Sequence, residues 1–148
     1  MTDKIKKALD SMGHRKMLFI LGDHGSGKTP LVKKYLTEVY GANAKNHYID
    51  VGMYVQQKIA DEKLRLYERF SEEFRADAEE IFSGLVEREY KNKNLIVFDH
   101  MEFLLSEDYI GWIKILDKVT LSEKKALVVV PTEYEKGLPL RAYKKIKL

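Results

Sequence analysis

The sequence predicts an α/β protein in which a mostly parallel, doubly wound sheet of about five strands forms the middle of a three-layer αβα sandwich. Short, continuous apolar runs alternate with longer segments of helical period along the chain. Continuous apolar runs are typical of strands in a parallel sheet, because helices cover both faces of such a sheet. Alternation of these runs with amphipathic helices is the pattern of α/β folds.

The apolar runs define the predicted strands. "MLFIL" is the first, "HYIDV" the second, "NLIVFD" the third and "ALVVV" the fourth, which ends at Pro131. Proline ends a strand because it cannot donate a hydrogen bond to the sheet. We expect the basic end "KKIKL" to be a fifth strand at an edge of the sheet. The strands thus fall at 17–21, 47–51, 94–99, 126–130 and 144–148.

Four segments have the apolar spacing of amphipathic helices. The first ends near Gly13, and the second runs from Pro30 to Gly41, a residue type that commonly follows a helix. The third is a long region with an apolar stripe over 66–85, which we expect to cover the sheet or, alternatively, to bind a partner. Ser106 is a predicted N-cap for the fourth helix, since its hydroxyl can accept a backbone N–H of the first turn.

The composition indicates one globular domain spanning residues 1–148. Hydrophobic residues make up 45% of the chain and charged residues 33%, which argues against disorder. No apolar run reaches the roughly 18 residues of a membrane-spanning helix, and the start is too polar for a secretory signal. The chain has no cysteine, which excludes disulfides and a cysteine nucleophile. We therefore expect a cytoplasmic protein that does not bind membranes.

The octet "GDHGSGKT" matches the pattern G-x-x-x-x-G-K-[ST] at each fixed position and lies between a predicted strand and a predicted helix. Its three glycines let the backbone bring N–H groups close to anionic oxygens, and the helix N-terminus adds the positive end of a dipole. The sequence therefore predicts a triphosphate-binding loop formed by Gly22, Asp23, His24, Gly25, Ser26, Gly27, Lys28, Thr29 and Pro30.

Three side chains around this loop have separate predicted roles. Lys28 should reach the β- and γ-phosphates as a positive charge, and the hydroxyl of Thr29 should coordinate Mg²⁺. Asp99 follows four apolar residues at the carboxyl end of the third strand, where ligands collect in open α/β sheets. We predict that Asp99 and Thr29 together hold the hydrated magnesium ion.

The residue after Asp99 departs from the pattern of the P-loop ATPases that the loop resembles. In the large class with an added strand between the loop strand and the aspartate strand, a glutamate directly after the aspartate polarises the attacking water. Here this position holds His100, and the nearest acid is Glu102. Both side chains are candidates for orienting the water, and the sequence also allows that neither does. It therefore predicts slow hydrolysis or dependence on a partner.

Two residues of the second half are candidates for completing such a site. Thr132 follows the fourth strand, where these ATPases keep a small polar sensor residue, although a threonine there is equally ordinary turn chemistry. Arg141 resembles in location the arginine that AAA-type ATPases offer to a neighbour's nucleotide, and its simpler interpretation is a surface arginine. The basic residues after Glu135 indicate a solvated rim or, alternatively, a surface for nucleic acid or an acidic partner.

The motifs "GDHGSGKT", "LIVFDHMEF" and "ALVVVPT" together resemble the core of AAA/STAND-like P-loop ATPases over nearly the whole chain. The resemblance implies a P-loop NTPase fold, ATP and Mg²⁺ as cofactors, and a nucleotide-dependent homo-oligomer. The chain ends where that family begins its helical lid, so we expect a core without a lid. In size and in lacking a lid it is similar to the small P-loop proteins of type 3 BREX phage-defence systems, which implies an accessory role with a larger ATPase and other proteins on DNA.

Three alternatives remain at the level of the sequence. A small-molecule or nucleotide kinase fits the size and the loop, but such kinases bring several arginines around the transferred phosphate, and arginines are scarce here. The loop is also similar to "GDLGAGKT" in the ATPase of tRNA threonylcarbamoylation, whose later "SPTF" and "HxDxYR" segments have no counterpart in this chain. A pure binding module would use the 66–85 stripe and the basic tail without nucleotide.

Overall fold

The computed structural model describes residues 1–13, 15–59, 71–105, 111–139 and 142–148. The described helices are α1 (Thr2–Asp10), α2 (Lys28–Tyr40), α3 (Val51–Lys58), α4 (Ser71–Glu89) and α5 (Gly111–Thr120). The strands are β1 (Met17–Gly22), β2 (Tyr48–Asp50), β3 (Leu95–Asp99), β4 (Lys125–Pro131) and β5 (Lys144–Lys147). Short 3₁₀ helices cover Gly41–His47, Glu102–Leu104 and Thr132–Gly137.

The five described strands form one parallel sheet in the order β2-β3-β4-β1-β5. β4 is inserted between β1 and β3, although it follows both along the chain. Because all strands run in the same direction, the loop after β1 and the segment after β3 lie at the same end of the sheet, where the strands have their carboxyl ends. The prediction of an α/β fold with a mostly parallel sheet is confirmed, and β5 lies at an edge as expected.

Every residue of β1 is buried, and its side chains alternate between two apolar cores. Met17, Phe19 and Leu21 belong to one core, which they share with residues of α3, α4 and α5. Leu18 and Ile20 belong to the other, which they share with residues of α1 and α2. Helices therefore cover both faces of the sheet, and this double burial explains why the strand is apolar throughout.

Several element bounds differ from the sequence predictions by one to three residues, and the differences in α2 and β2 bear on the site. α2 begins at Lys28, so Pro30 lies inside its first turn, where a missing N–H leaves no hydrogen bond unmade. The second strand is shorter than 47–51 because the residues on either side belong to helices. His47 ends a 3₁₀ helix, while Asp50 caps α3 by accepting a hydrogen bond from Met53 N at 2.9 Å.

The predicted long apolar stripe is described from residue 71 onward, as α4. Ala78, Phe82 and Leu85 are buried in the core that includes β3, and the ring of Phe82 meets Phe98 edge-on with 5.5 Å between centroids. This part of the stripe covers the sheet, as expected. Leu66, Tyr67, Phe70 and Ser106 lie outside the described residues. Among the helices of the described ranges, none has both the length and the apolar character to cross a membrane.

Replacing Phe82 by alanine should lower the free energy of unfolding by about 3–5 kcal/mol, because it removes a fully buried ring and leaves a cavity between α4 and β3. Urea denaturation measures this loss. Leu121→Ala is the matched control, since Leu121 is 61% exposed and its truncation should change stability by no more than about 0.5 kcal/mol. Equal effects of the two substitutions would contradict the packing of α4 on the sheet.

Candidate functional site

The loop between β1 and α2 has a backbone shape that depends on its glycines. Gly25 and Gly27 have φ values of +77° and +96°, in the left-handed region that side chains with a Cβ rarely adopt. A Cβ on Gly22 would collide with the hydroxyl of Ser26 and would lie 3.1 Å from Cγ of Lys28. Ser26 N donates to Asp23 O at 3.1 Å and closes the turn. The loop therefore curls tightly at the N-terminus of α2.

Lys28 is held at the base of this loop by neutral partners. Its ammonium group donates to the carbonyl oxygens of Gly22 and Asp23, each at 2.7 Å. The residue is only 9% exposed. An ammonium group has three N–H donors, so one beyond these two can reach an anion in front of the loop.

Asp99, at the carboxyl end of β3, is 3% exposed and accepts hydrogen bonds on both of its carboxylate oxygens. Oδ2 accepts from the hydroxyl of Thr29 at 2.6 Å and from that of Tyr48 at 2.7 Å. Oδ1 accepts from the backbone N of His100 at 2.8 Å. A buried carboxylate is costly without such donors, and these three compensate for its loss of water.

A cavity of about 480 Å³ opens at the carboxyl end of the sheet, beside the loop and Asp99. It is bordered by the loop, the start of α2, the end of β3 with the residues after it, and the end of β4. The lining residues are His24, Gly25, Gly27, Lys28, Thr29, Pro30, Asp99, His100, Glu102, Val129 and Pro131. Predicted residues from both halves of the chain thus meet around one space, while Gly22, Asp23 and Ser26 shape the loop without lining it.

His100 has an unusual backbone conformation for its residue type. Its φ of +58° lies in the left-handed region, so the chain turns sharply directly after Asp99. The imidazole is 48% exposed, and its Nε2 lies 4.0 Å from Oδ2 of Asp50 and 3.8 Å from Oδ2 of Asp99. Glu102 begins the 3₁₀ helix after this turn and also lines the cavity. The geometry therefore brings both candidate water-orienting groups to the cavity without selecting one.

The remaining predicted site residues are placed less centrally. Thr132 begins the 3₁₀ helix after β4, is half-buried and is not among the described residues that line the cavity. Arg141 lies outside the described residues. His24, on the loop, pairs with Glu133 at 3.1 Å, and both side chains are exposed. The roles of Thr132 as a sensor, of Arg141 toward a neighbour's nucleotide and of His24 in the phosphate-binding loop stay predictions.

Tyr48 and Asp50, both in β2, are site neighbours that the sequence analysis missed. β2 pairs with β3 so that Asp50 lies beside Asp99, and Tyr48 lies beside Val97. The strand itself was predicted. The acid at its carboxyl end, Asp50, was the signal that could have placed β2 near the site. Its neighbour in the sheet could not be read from the sequence, because strand order depends on long-range pairing.

Comparisons with known proteins agree with this architecture. The chain is similar in structure to a solved DNA replication initiation factor, with a TM-score of 0.56 and 17% sequence identity. The similarity covers 99% of this chain and 44% of the other, so this chain spans less than half the length of that protein. Identity at this level shows the fold alone. No protein-family model matches the chain, and neither does any curated protein.

The fold and the loop define the class. The sheet is parallel and five-stranded, with β4 between the loop strand β1 and the aspartate strand β3, so both motifs lie at the carboxyl ends of the strands, where ligands bind in open α/β sheets. The glycine-rich loop joins β1 to the N-terminus of α2, where the motif requires it. The chain therefore has the P-loop NTPase fold that the sequence predicted.

Gly27→Ala should lower the free energy of unfolding by about 1–2 kcal/mol, because a Cβ is disfavoured at a φ of +96°. Apart from the neighbouring residues in the chain, no atom lies within 4 Å of the added Cβ, so the cost comes from the local backbone conformation. Gly13→Ala is the matched control: its Cβ also meets nothing, and its φ lies outside the left-handed region. Urea denaturation should show little change for Gly13→Ala, and equal losses would contradict the loop conformation.

Proposed function

We propose that the protein binds ATP with Mg²⁺, hydrolyses it slowly or only when a partner stimulates it, and acts in the cytoplasm as an accessory switch in a multiprotein complex. The observation that carries the proposal is the 2.6 Å hydrogen bond from the Thr29 hydroxyl to Asp99, beside the loop that holds Lys28. This contact brings together the glycine-rich loop and the aspartate after an apolar strand, and a magnesium-dependent phosphate site needs both.

The site residues fit a magnesium-bound triphosphate. A Cβ on Gly22 would collide with the Ser26 hydroxyl, and the positive φ values of Gly25 and Gly27 allow the backbone N–H groups to face an anion. No group of three or more His, Asp or Glu side chains in the described ranges could hold a metal alone. A cation beside Thr29 and Asp99 would thus complete its coordination with waters and phosphate oxygens, as Mg²⁺ does in nucleotide sites. When bound, Mg²⁺ neutralises charge on the β- and γ-phosphates.

Slow hydrolysis is proposed from the segment after Asp99. The usual glutamate position holds His100, whose left-handed backbone starts a sharp turn. Glu102 lies beyond that turn, so its carboxylate would approach the phosphates from the following 3₁₀ helix. A group that orients water must lie within hydrogen-bond reach of it, and an incomplete arrangement costs rate rather than binding.

The accessory role is the finer part of the proposal. Motifs and size are similar to AAA/STAND-like cores and to BrxF, the small P-loop protein of type 3 BREX phage-defence systems. The structurally similar protein is a DNA replication initiation factor, which supports testing DNA as a direct or indirect partner. Thr132 as a sensor, Arg141 as a group offered to a neighbouring copy, and a nucleotide-dependent homo-oligomer belong to the same proposal.

Lys28→Ala should weaken ATP binding by about 3 kcal/mol, roughly 100-fold, because it removes a charged donor to the phosphates. Titration with a fluorescent ATP analogue and Mg²⁺ measures the loss. Lys34→Ala is the matched control, since Lys34 is an exposed lysine of the same helix and does not line the cavity. Circular dichroism checks that both variants remain folded, and unchanged binding by folded Lys28→Ala would overturn the proposed function.

Steady-state ATP hydrolysis should be slow for the dilute protein and should rise with protein concentration or with added duplex DNA or partner proteins. In the stimulated state, Glu102→Gln or His100→Asn should lower the rate about 10²- to 10⁴-fold while leaving binding intact, which identifies the group that orients water. Glu123→Gln is the control, because Glu123 is exposed and outside the cavity. Fast turnover that is independent of concentration and survives both substitutions would contradict the switch.

A panel of metabolite acceptors tests the kinase alternative in the same assay.

A further inference from the structure

We propose that Tyr48 is a positioning residue for Asp99, whose hydroxyl fixes the carboxylate in the orientation that receives Mg²⁺. This inference rests on the proposed function and adds to it a residue of β2, outside both sequence motifs. The geometry that carries it is the 2.7 Å hydrogen bond from the Tyr48 hydroxyl to Oδ2 of Asp99, the same oxygen that accepts from Thr29.

The hydrogen bonds to Asp99 restrict its carboxylate at both oxygens. An aspartate side chain has a broad, roughly two-fold terminal torsion, so burial alone does not set the plane of its carboxylate. Two hydroxyl donors converge on Oδ2 and the backbone N of His100 donates to Oδ1. Removing Tyr48 from this set leaves Oδ2 with Thr29, the residue that is predicted to coordinate the metal itself.

The phenol of Tyr48 is itself held in place. β2 pairs with β3 along its whole length, which fixes the backbone of Tyr48 beside Val97. On the ring, Nζ of Lys33 from α2 lies 4.7 Å from the centroid, within the range of a cation–π contact. A tyrosine hydroxyl is protonated at neutral pH and can therefore donate to the carboxylate of Asp99. Strand pairing and the contact with Lys33 therefore hold the Tyr48 hydroxyl beside Asp99.

The expected consequence is specific to the metal. Some groups hold a metal ligand in place without touching the metal themselves. Removing such a group typically lowers metal affinity 10- to 100-fold. Tyr48 does not line the cavity, so it has no direct contact to lose with the phosphates or the base. A Tyr48 variant should thus bind nucleotide normally without Mg²⁺ and respond abnormally to the metal.

The test is Tyr48→Phe in the full chain, which retains the ring and removes only the hydroxyl. Binding of a fluorescent ATP analogue is titrated in EDTA and then across Mg²⁺ concentrations. In EDTA, the affinity of Tyr48→Phe for the nucleotide analogue should equal that of the parent protein. The Mg²⁺ concentration that gives half of the full Mg²⁺ effect on nucleotide binding should be 10- to 100-fold higher in the variant. Tyr143→Phe is the matched control, because Tyr143 donates to the carboxylate of Asp117 at 2.7 and 2.9 Å, and neither residue lines the cavity.

A double-mutant cycle with Asp99→Asn tests whether Tyr48 acts through Asp99. In the Asp99→Asn background, Tyr48→Phe should have no further effect on the Mg²⁺ requirement, and fully additive effects would overturn the inference. A Mg²⁺ requirement equal to that of the parent protein, or an equal loss of affinity with and without Mg²⁺, would also overturn it and leave the proposed function standing. Absence of Lys28-dependent nucleotide binding in the parent protein would overturn both.

Discussion

The hydrogen bond between Thr29 Oγ1 and Asp99 Oδ2 is the contact on which the arrangement of the candidate site depends. The two residues are 70 positions apart and come from the start of α2 and the end of β3. They meet although β4 lies between β1 and β3, because the parallel strands place the loop after β1 and the end of β3 at the same end of the sheet. The same two motifs on strands at opposite edges of the sheet would lie too far apart for this contact.

The site keeps one buried cation and one buried anion apart, and neutral groups compensate each of them. Lys28 donates to two carbonyl oxygens, while Asp99 accepts from two hydroxyls and a backbone amide. A direct Lys28–Asp99 ion pair would satisfy both charges within the protein and reduce their attraction for a ligand. Compensation by dipoles satisfies the hydrogen-bonding groups and retains both charges, which suits a ligand that combines a divalent cation with phosphates.

Local sequence patterns predicted the strands and the glycine-rich loop because each depends on nearby residues. Burial on both faces makes β1 apolar throughout, and the left-handed backbone at Gly25 and Gly27 favours glycine over other residues. The contribution of β2 could not be predicted in this way. Tyr48 reaches Asp99 only because β2 pairs with β3, and pairing between distant strands leaves no local pattern. The left-handed His100 is likewise set by its surroundings, since its residue type does not require that conformation.

Both edge strands of the sheet have features that disfavour pairing with a further strand. β5 is an edge strand that exposes Lys144, Lys145 and Lys147, and charged side chains on an edge disfavour pairing with a second sheet. The opposite edge, β2, has only three residues, and its side chains are used on Asp99 and on the cap of α3. Strand addition is therefore disfavoured at both edges. The cavity mouth, where His100 is half exposed, is the more accessible place for a partner to complete the proposed site, because a group placed there need not displace a strand.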